Sequence, residues 1–174
     1  MLSLSEKHVK YDKSTSTGNL LLSKEIHTNK GTTDINIGTA TDRKLIFDQY
    51  DDKGNIQQYT LENGIPVSII WGYNKTQPIA KIENATNAQI AIALGISDLN
   101  NINETDLTAI NNLRNSLSNA MVTTYTHIPL VGVSTITDPK EDKITYTYDS
   151  FGRLKFVKDK DGNILSDNQY NYKQ

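Results

Sequence analysis

Three groups of side chains in this sequence have the types that chemistry needs. Asp159, Asp161 and Asn163 alternate through one short stretch, and Asp51 and Asp52 stand together in another. A calcium loop places oxygen ligands at alternate positions and closes with a bidentate Glu at its twelfth residue. Counted from Asp159, that residue is Tyr170, so a turn rich in Asp and Gly is the better reading and no metal is expected. The histidines are His8, His27 and His127, each isolated, with no His-Glu-x-x-His pattern and no nucleophile elbow. No catalytic residue and no cofactor is assigned, and the chain reads as a non-enzyme. The third group is aromatic: Tyr50, Tyr59, Trp71, Tyr73, Tyr125, Tyr146, Tyr148, Tyr170 and Tyr172. Rings on strands stack on sugars, but they also pack against one another across a sheet. Trp71, Tyr73, Tyr146 and Tyr148 are the candidate ligand-binding residues, with packing as the competing role.

The elements that carry these residues repeat. Ile144-Thr145-Tyr146-Thr147-Tyr148 alternates with period two, so Tyr146 and Tyr148 share one face of an extended strand and Thr145 and Thr147 the other. Ser150-Phe151-Gly152 turns the chain, Leu154 and Phe156 share a face of the returning strand, and Asp161-Gly162 marks the next hairpin turn. An earlier stretch matches: Tyr50-Asp51-Asp52-Lys53-Gly54-Asn55-Ile56 aligns with Tyr148-Asp149-Ser150-Phe151-Gly152-Arg153-Leu154. Gly54 and Gly64 are ten positions apart, and so are Gly152 and Gly162. The spacing predicts a repeat whose unit is a β-hairpin stacked on its neighbours.

Tyr148 to Asn163 reads Tyr-Asp-x-x-Gly-Arg-Leu-x-x-Val-x-Asp-x-x-Gly-Asn, and this resembles the YD repeat of Rhs and teneurin-type proteins. Asp138-Pro139-Lys140-Glu141 resembles the Asp-Pro-x-Gly half of a preceding unit, with Glu141 in the place of the glycine. The clear resemblance covers 130–172 and, more loosely, 43–73. Ile70 to Ile82 is similar in phrasing to the Rhs-repeat proteins of Bacteroidetes in particular. The resemblance implies a β-sheet ribbon. Relatives wind such ribbons into hollow shells; some enclose a toxin and others stand on the cell surface. It also implies a secreted or cell-surface location and a structural or interaction role without catalysis. Some relatives bind carbohydrate, so a carbohydrate- or cell-surface-binding module using exposed Tyr and Trp rings is the alternative. No toxin and no self-cleavage segment is expected after residue 163. With at most three hairpin units the chain cannot close a shell alone, so the expected partners are further Rhs-like repeats or another protein, and carbohydrate under the alternative.

Composition narrows the field. The formal net charge is −2 and the pI about 5.9, which leaves no basic footprint for nucleic acid. There is no Cys, which excludes disulfides and thiolate metal sites. Hydrophobic residues make up 36%, with nine Tyr and three Phe, a balance that suits sheets with one wet face. Met1 to Lys7 lacks the basic start and apolar core of a secretory signal, and no run approaches the roughly 18 apolar residues of a membrane span. Since relatives are exported, the chain is expected to be the C-terminal piece of a longer protein, or a shortened paralogue.

The expected fold is mainly β: antiparallel β-hairpin repeats with an inserted α-helical hairpin, in a single domain over 1–174. Residues 1–42 are polar N-terminal strands that cap the ribbon, with His8 to Tyr11 and Leu20 to His27 extended and loops at Ser14 to Gly18 and Thr28 to Thr41. Lys7, Lys10, Lys13 and Lys24 discourage open-ended strand pairing there, which favours a monomer. Residues 43–83 are a β-repeat turning at Asn63-Gly64. Residues 84–120 are the helical insert. Ala88 to Leu94 forms an apolar run that closes at Gly95. Ser97 or Asn103 caps the second half of the insert, where Leu107, Ile110, Leu113, Leu117 and Met121 recur at three- and four-residue steps as one helical face. Residues 121–174 return to YD-type β-repeats.

Overall fold

The turns set the architecture. The computed structural model describes residues 5–30, 35–37 and 41–171, and five of its turns share one hydrogen-bond scheme. They span Asp51 to Asn55, Leu61 to Ile65, Asp138 to Asp142, Asp149 to Arg153 and Asp159 to Asn163. In each, the first residue's N–H donates to the carbonyl of the fifth, and the fourth residue's N–H donates to the carbonyl of the first, all at 2.8–3.1 Å. This is the three-residue hairpin loop, a tight turn followed by one left-handed residue. That residue is Gly54, Gly64, Gly152 or Gly162, with φ between 74° and 86°, and in the remaining turn it is Glu141 at φ 68°. Glu141 therefore holds the glycine position that the repeat assigns to it.

The strands between these turns form one open, wholly antiparallel sheet in sequence order, β1 to β11. They are β1 Ser5–Asp12, β2 Leu22–Lys30, β3 Arg43–Tyr50, β4 Ile56–Leu61, β5 Pro66–Gly72, β6 Gln77–Glu83, β7 Met121–Ile128, β8 Gly132–Thr137, β9 Lys143–Tyr148, β10 Leu154–Lys158 and β11 Ile164–Asp167. Mainly β with an insert is thus the fold, and it carries more hairpins than the three units legible as repeats. β1 and β2 add to the sheet edge instead of crossing it. The loop between them holds a turn of 3-10 helix, Thr15–Thr17, with Thr17 buried. Gly18 packs on the first repeat: a Cβ there would lie 2.9 Å from the Asp51 carbonyl oxygen. The expected loop Thr28 to Thr41 begins later, because β2 runs on to Lys30. Residues 1–4, 31–34, 38–40 and 172–174 lie outside the described residues.

The insert leaves β6 and re-enters at β7, which pair directly, Glu83 opposite Met121. It contains α1 (Asn87–Leu94) and α2 (Leu107–Ser116), joined by two turns of 3-10 helix. Thr86 caps α1 by accepting from the Gln89 N–H, and Gly95 closes it in the left-handed conformation. Asp98 caps the first connecting turn, in place of the neighbouring Ser97, and Asn103 caps the second. Ile110 and Leu113 are buried, while Leu107 and Leu117 are half-buried at the ends of the same stripe. These four close over Ile70, Ala80, Ile82 and Val122 of β5 to β7, with Ile79 and Ile90, as the main core. Met121, expected on that face, instead opens β7 and is exposed, because the helix ends at Ser116. α1 differs from the expected apolar helix. Only Ile90 is buried and Ile92 is exposed, because residues two apart face nearly opposite sides of a helix.

A left-handed backbone costs a residue with a Cβ about 1–2 kcal/mol relative to the usual conformation. Glu141→Gly is therefore expected to raise stability, by about 1 kcal/mol after the greater unfolded-state freedom of glycine is offset. A urea titration reads the gain; no gain at unchanged m-value would mean the Glu141 side chain contributes elsewhere.

Candidate functional site

The Asp residues that could serve chemistry serve the turns. Asp149 Oδ1 accepts the N–H groups of Phe151 and Arg153 at 2.9 and 3.0 Å, and its Oδ2 accepts Arg153 Nε at 2.7 Å. Asp51 repeats this with Lys53, Asn55 and the Asn55 amide, and Asp159 with Asp161, Asn163 and the Asn163 amide. Asp138 Oδ1 takes the N–H groups of Lys140 and Asp142. In the Leu61 turn, which lacks the Asp, Asn63 Oδ1 takes the Ile65 N–H instead. The Tyr of each Tyr-Asp pair is spent as well. The Tyr50 hydroxyl donates to the Ser23 carbonyl at 2.7 Å, and the Tyr148 hydroxyl to the Val133 carbonyl at 2.8 Å. Each reaches the strand before its own. Gly132 makes room for Tyr148, since a Cβ there would lie 2.7 Å from the hydroxyl.

Because turns alternate between ends in a meander, the turns after β1, β3, β5, β7 and β9 share one rim of the sheet. On that rim lies a trough with two lobes. The larger, about 650 Å³, is lined by Tyr73, Thr76, Gln77, His127 and the turn Ile128 to Gly132. The smaller, about 370 Å³, is lined by Tyr146, Thr147, Tyr148, Asp149, Ser150 and Gly152. Ile128 and Val131 border both lobes. Leu130 is fully exposed at the edge, and Phe151 is largely exposed in the neighbouring turn. The Arg153 guanidinium lies 5.1 Å from the Phe151 ring and 4.4 Å from the Tyr170 ring, cation–π distances that add to its pair with Asp149.

Of the four candidate residues, the fold brings Tyr73, Tyr146 and Tyr148 to this trough and leaves Trp71 out. Trp71 is half-buried where β4 and β5 stop pairing beyond Gln58, and its Nε1–H donates to the Ile56 carbonyl at 2.8 Å. The space beside it is about 10 Å³, room for no more than one water. Tyr73 is tied down as well: its hydroxyl accepts the His127 N–H at 2.9 Å and lies 3.2 Å from the His127 carbonyl, which it meets as donor. Its ring meets the imidazole edge-on at 5.4 Å, and His127 Nε2 lies 2.8 Å from the Pro78 carbonyl oxygen. The trough thus offers ring surfaces and aliphatic side chains, with Thr76, Gln77, Thr147 and Ser150 as its polar groups. Among the described residues, no three His, Asp or Glu side chains converge as a metal site requires. Sequence reasoning misses Ile128 to Val131 here. Four apolar or ring residues, Ile-Pro-Leu-Val, around a turn are the signal that could have found it.

Asp149 and Asp159 sit below the ordinary carboxyl range, Asp149 through its Arg153 side-chain bond and Asp159 through the Asn163 amide. A carboxyl whose pKa is lower in the folded state stabilises fully above the unfolded value, about 4, and that contribution is lost as pH falls through the folded value. Wild-type stability is therefore expected to fall as pH drops below about 4. The Asp149→Asn/Asp159→Asn double variant should be less stable at neutral pH and show a shallower acid decline in urea midpoint. An equal acid decline in both chains would assign the pH dependence to other carboxylates.

No family model and no curated protein matches the sequence.

Proposed function

We propose that this chain is a non-catalytic structural and interaction module, a segment of a β-ribbon of the Rhs type, working at the cell surface or in secreted form. One observation carries the reading: the residues of the repeated motif are consumed by the architecture. Asp149, Arg153, Tyr148 and their counterparts Asp51, Asn55 and Tyr50 all spend their polar atoms on backbone groups or on one another. A motif that builds joints supports a ribbon, and among the described residues that ribbon has β1 and β11 as its edges, each with one neighbour. Such a sheet can be continued by further repeats or lie against another protein, with the trough as a contact surface for apolar side chains. No helix of the described residues is long and apolar enough to cross a membrane.

A ribbon of near-identical joints loses stability in steps, since each hairpin mainly contacts its neighbours. Deleting 154–174, which carries β10 and β11, is expected to leave a cooperatively folding sheet with a lower m-value in urea. Loss of the near-ultraviolet dichroism of the remaining chain would show a single indivisible unit and overturn the ribbon reading.

The trough keeps a second reading in play, a carbohydrate site, because Tyr73, Tyr146 and Tyr148 gather there with hydroxyl and amide side chains beside them. On this reading, titrating polysaccharides moves the ring resonances of these tyrosines and leaves Trp71 emission unchanged. Silence of all three rings across a broad glycan panel would dispose of it.

A further inference from the structure

The turn between β5 and β6 has a backbone unlike the others. Tyr73, Asn74 and Lys75 are all left-handed, with φ of 49°, 57° and 60°. None is glycine, and a residue held this way persists only where its surroundings offset the cost. Inside the turn, the Thr76 hydroxyl donates to the Tyr73 carbonyl at 2.6 Å, and the Thr76 N–H reaches the Gly72 and Tyr73 carbonyls at 3.1 and 3.3 Å. The Asp51 turn, its neighbour on the rim, supplies three outside contacts. Lys53 Nζ donates to the Asn74 carbonyl, Asn55 Nδ2 donates to the Lys75 carbonyl at 2.9 Å, and Asp52 pairs with Lys75 Nζ.

The fourth contact comes from elsewhere in the fold. Glu104, in the 3-10 turn Glu104–Asp106 of the helical insert, accepts the Tyr73 N–H through Oε2 at 2.6 Å. It takes the first N–H of the left-handed segment with an ionised acceptor, which makes the bond a strong one. Gly72 permits the approach: a Cβ there would lie 3.1 Å from Glu104 Oε2, 3.2 Å from the Glu104 nitrogen and 2.6 Å from Ile79 Cγ2.

We propose that Glu104 is a latch through which the helical insert keeps this turn wound and holds the Tyr73 ring in place as a wall of the trough. The Tyr73 ring lines the larger lobe, and its hydroxyl occupies both the N–H and the carbonyl of His127. When Glu104 leaves, the three residues relax toward right-handed backbone. The Tyr73 ring then swings out, and the His127 N–H and carbonyl are released to whatever enters. The seating of the insert on the sheet therefore sets whether the trough keeps its Tyr73 wall. This device stands on the backbone geometry and holds whatever partner the trough meets.

Trp71, the single tryptophan, lies two residues before the turn and reports on it. In the full-length wild-type chain, residues 73–75 are expected to give the strong intraresidue amide–Hα NOEs of left-handed backbone. Glu104→Ala should abolish them, shift Trp71 emission and speed His127 amide exchange by at least about tenfold, as local opening does. Glu104→Gln, whose carbonyl oxygen still accepts from the Tyr73 N–H, should keep all three wild-type signals. Adding Asn74→Gly to Glu104→Ala should return Trp71 emission and His127 exchange toward the wild-type values, since glycine needs no latch to stay left-handed. Left-handed NOEs that survive Glu104→Ala, with Trp71 emission and His127 exchange unchanged, would overturn the proposal, and so would failure of the glycine rescue. If Glu104→Ala does not fold, Asn74→Gly in the otherwise unchanged chain decides. Relief of strain should raise its folding constant by at least about threefold, and no gain means there is no strain for a latch to hold.

Discussion

A carboxylate at the first position of a hairpin turn is the interaction on which the rest of this molecule depends. A three-residue loop leaves the N–H groups of its third and fifth residues pointing inward, away from the strand ladder. Unsatisfied, such donors cost free energy comparable to a lost hydrogen bond. Asp51, Asp138, Asp149 and Asp159 each satisfy both with one oxygen, at 2.8–3.0 Å. In three of these turns the second oxygen binds the side chain of the fifth residue, Asn55, Arg153 or Asn163. That joint fixes the loop length, and loop length fixes the register of the two strands it connects. Register in turn decides which residues share a face, because a one-residue slip moves every side chain to the other side. The placement of Tyr146 and Tyr148 at the trough follows from the joint at Asp149, and the Tyr148 hydroxyl then ties that hairpin to the one before it.

A sheet of eleven strands has more surface than two short helices can cover. The rows Gln58–Ser68–Ile82–Val122 and Ile70–Ala80–Thr124–Thr137 cross the sheet in register on the helix face, and most of the fully buried aliphatic side chains gather there, Val67 on the other face excepted. Away from the helices, polar clusters replace the core. Glu25 accepts from His27 and pairs with Lys10 and Arg43, and its carboxyl is held low by His27 first and Lys10 next. Asp48 accepts from Thr60 at 2.7 Å and from Gln58 at 3.3 Å. On the opposite face, the row Phe47–Tyr59–Val67–Glu83 lies beside Ile69–Lys81–Thr123 and Tyr125–Ile136–Ile144. Packing there around the Lys81–Glu83 pair raises the Tyr125 phenol through burial. Stability should accordingly grade from the covered centre to the outer hairpins, as local contact density does.

How much of this can be read from the sequence depends on where each turn keeps its chemistry. Asp149 to Gly152 and Asp51 to Gly54 carry both the acceptor and the left-handed glycine within four residues, so local reading finds them. Asn63-Gly64 is found for the same reason. Glu141 is visible only through the repeat, since nothing local recommends a glutamate for left-handed backbone. The Tyr73 to Lys75 turn is not visible at all. Its conformation opposes the local preference of Tyr73 and Lys75 and relies on Glu104, 31 positions from Tyr73. Trp71 misleads through an irregularity of the same kind. Alternation sets its ring on a sheet face, but a register shift at Ile70/Trp71 and the early end of β4–β5 pairing turn the indole to cover a free carbonyl. Ile92 fails because a continuous apolar run, Ile90 to Leu94, has no single face.

The insert is also the reason the covered centre lies where it does. β6 and β7 pair as if joined by a tight turn, and the chain between them folds back over the sheet instead of leaving it. An apolar stripe alone would allow α2 to slide or rotate, since hydrophobic contact is not directional. Arg114 removes that freedom. Its guanidinium donates to Asn111 Oδ1 at 2.6 Å, to the Val122 carbonyl at 2.8 Å and to the Asp138 carbonyl at 3.0 Å. These acceptors are carbonyl oxygens, and burial draws the pKa of the group down. A planar fork satisfied by several fixed carbonyls tolerates little displacement. Arg114 fastens the insert beside the β8–β9 turn, on the rim where β6 ends, while Glu104 fastens it to the β5–β6 turn on the opposite rim. Two directional contacts at opposite ends, with apolar packing between them, make the insert a strap across the sheet. A shift of α2 by one turn would break both, which is how a pair of charged side chains can set the position of a helix held mainly by aliphatic contact.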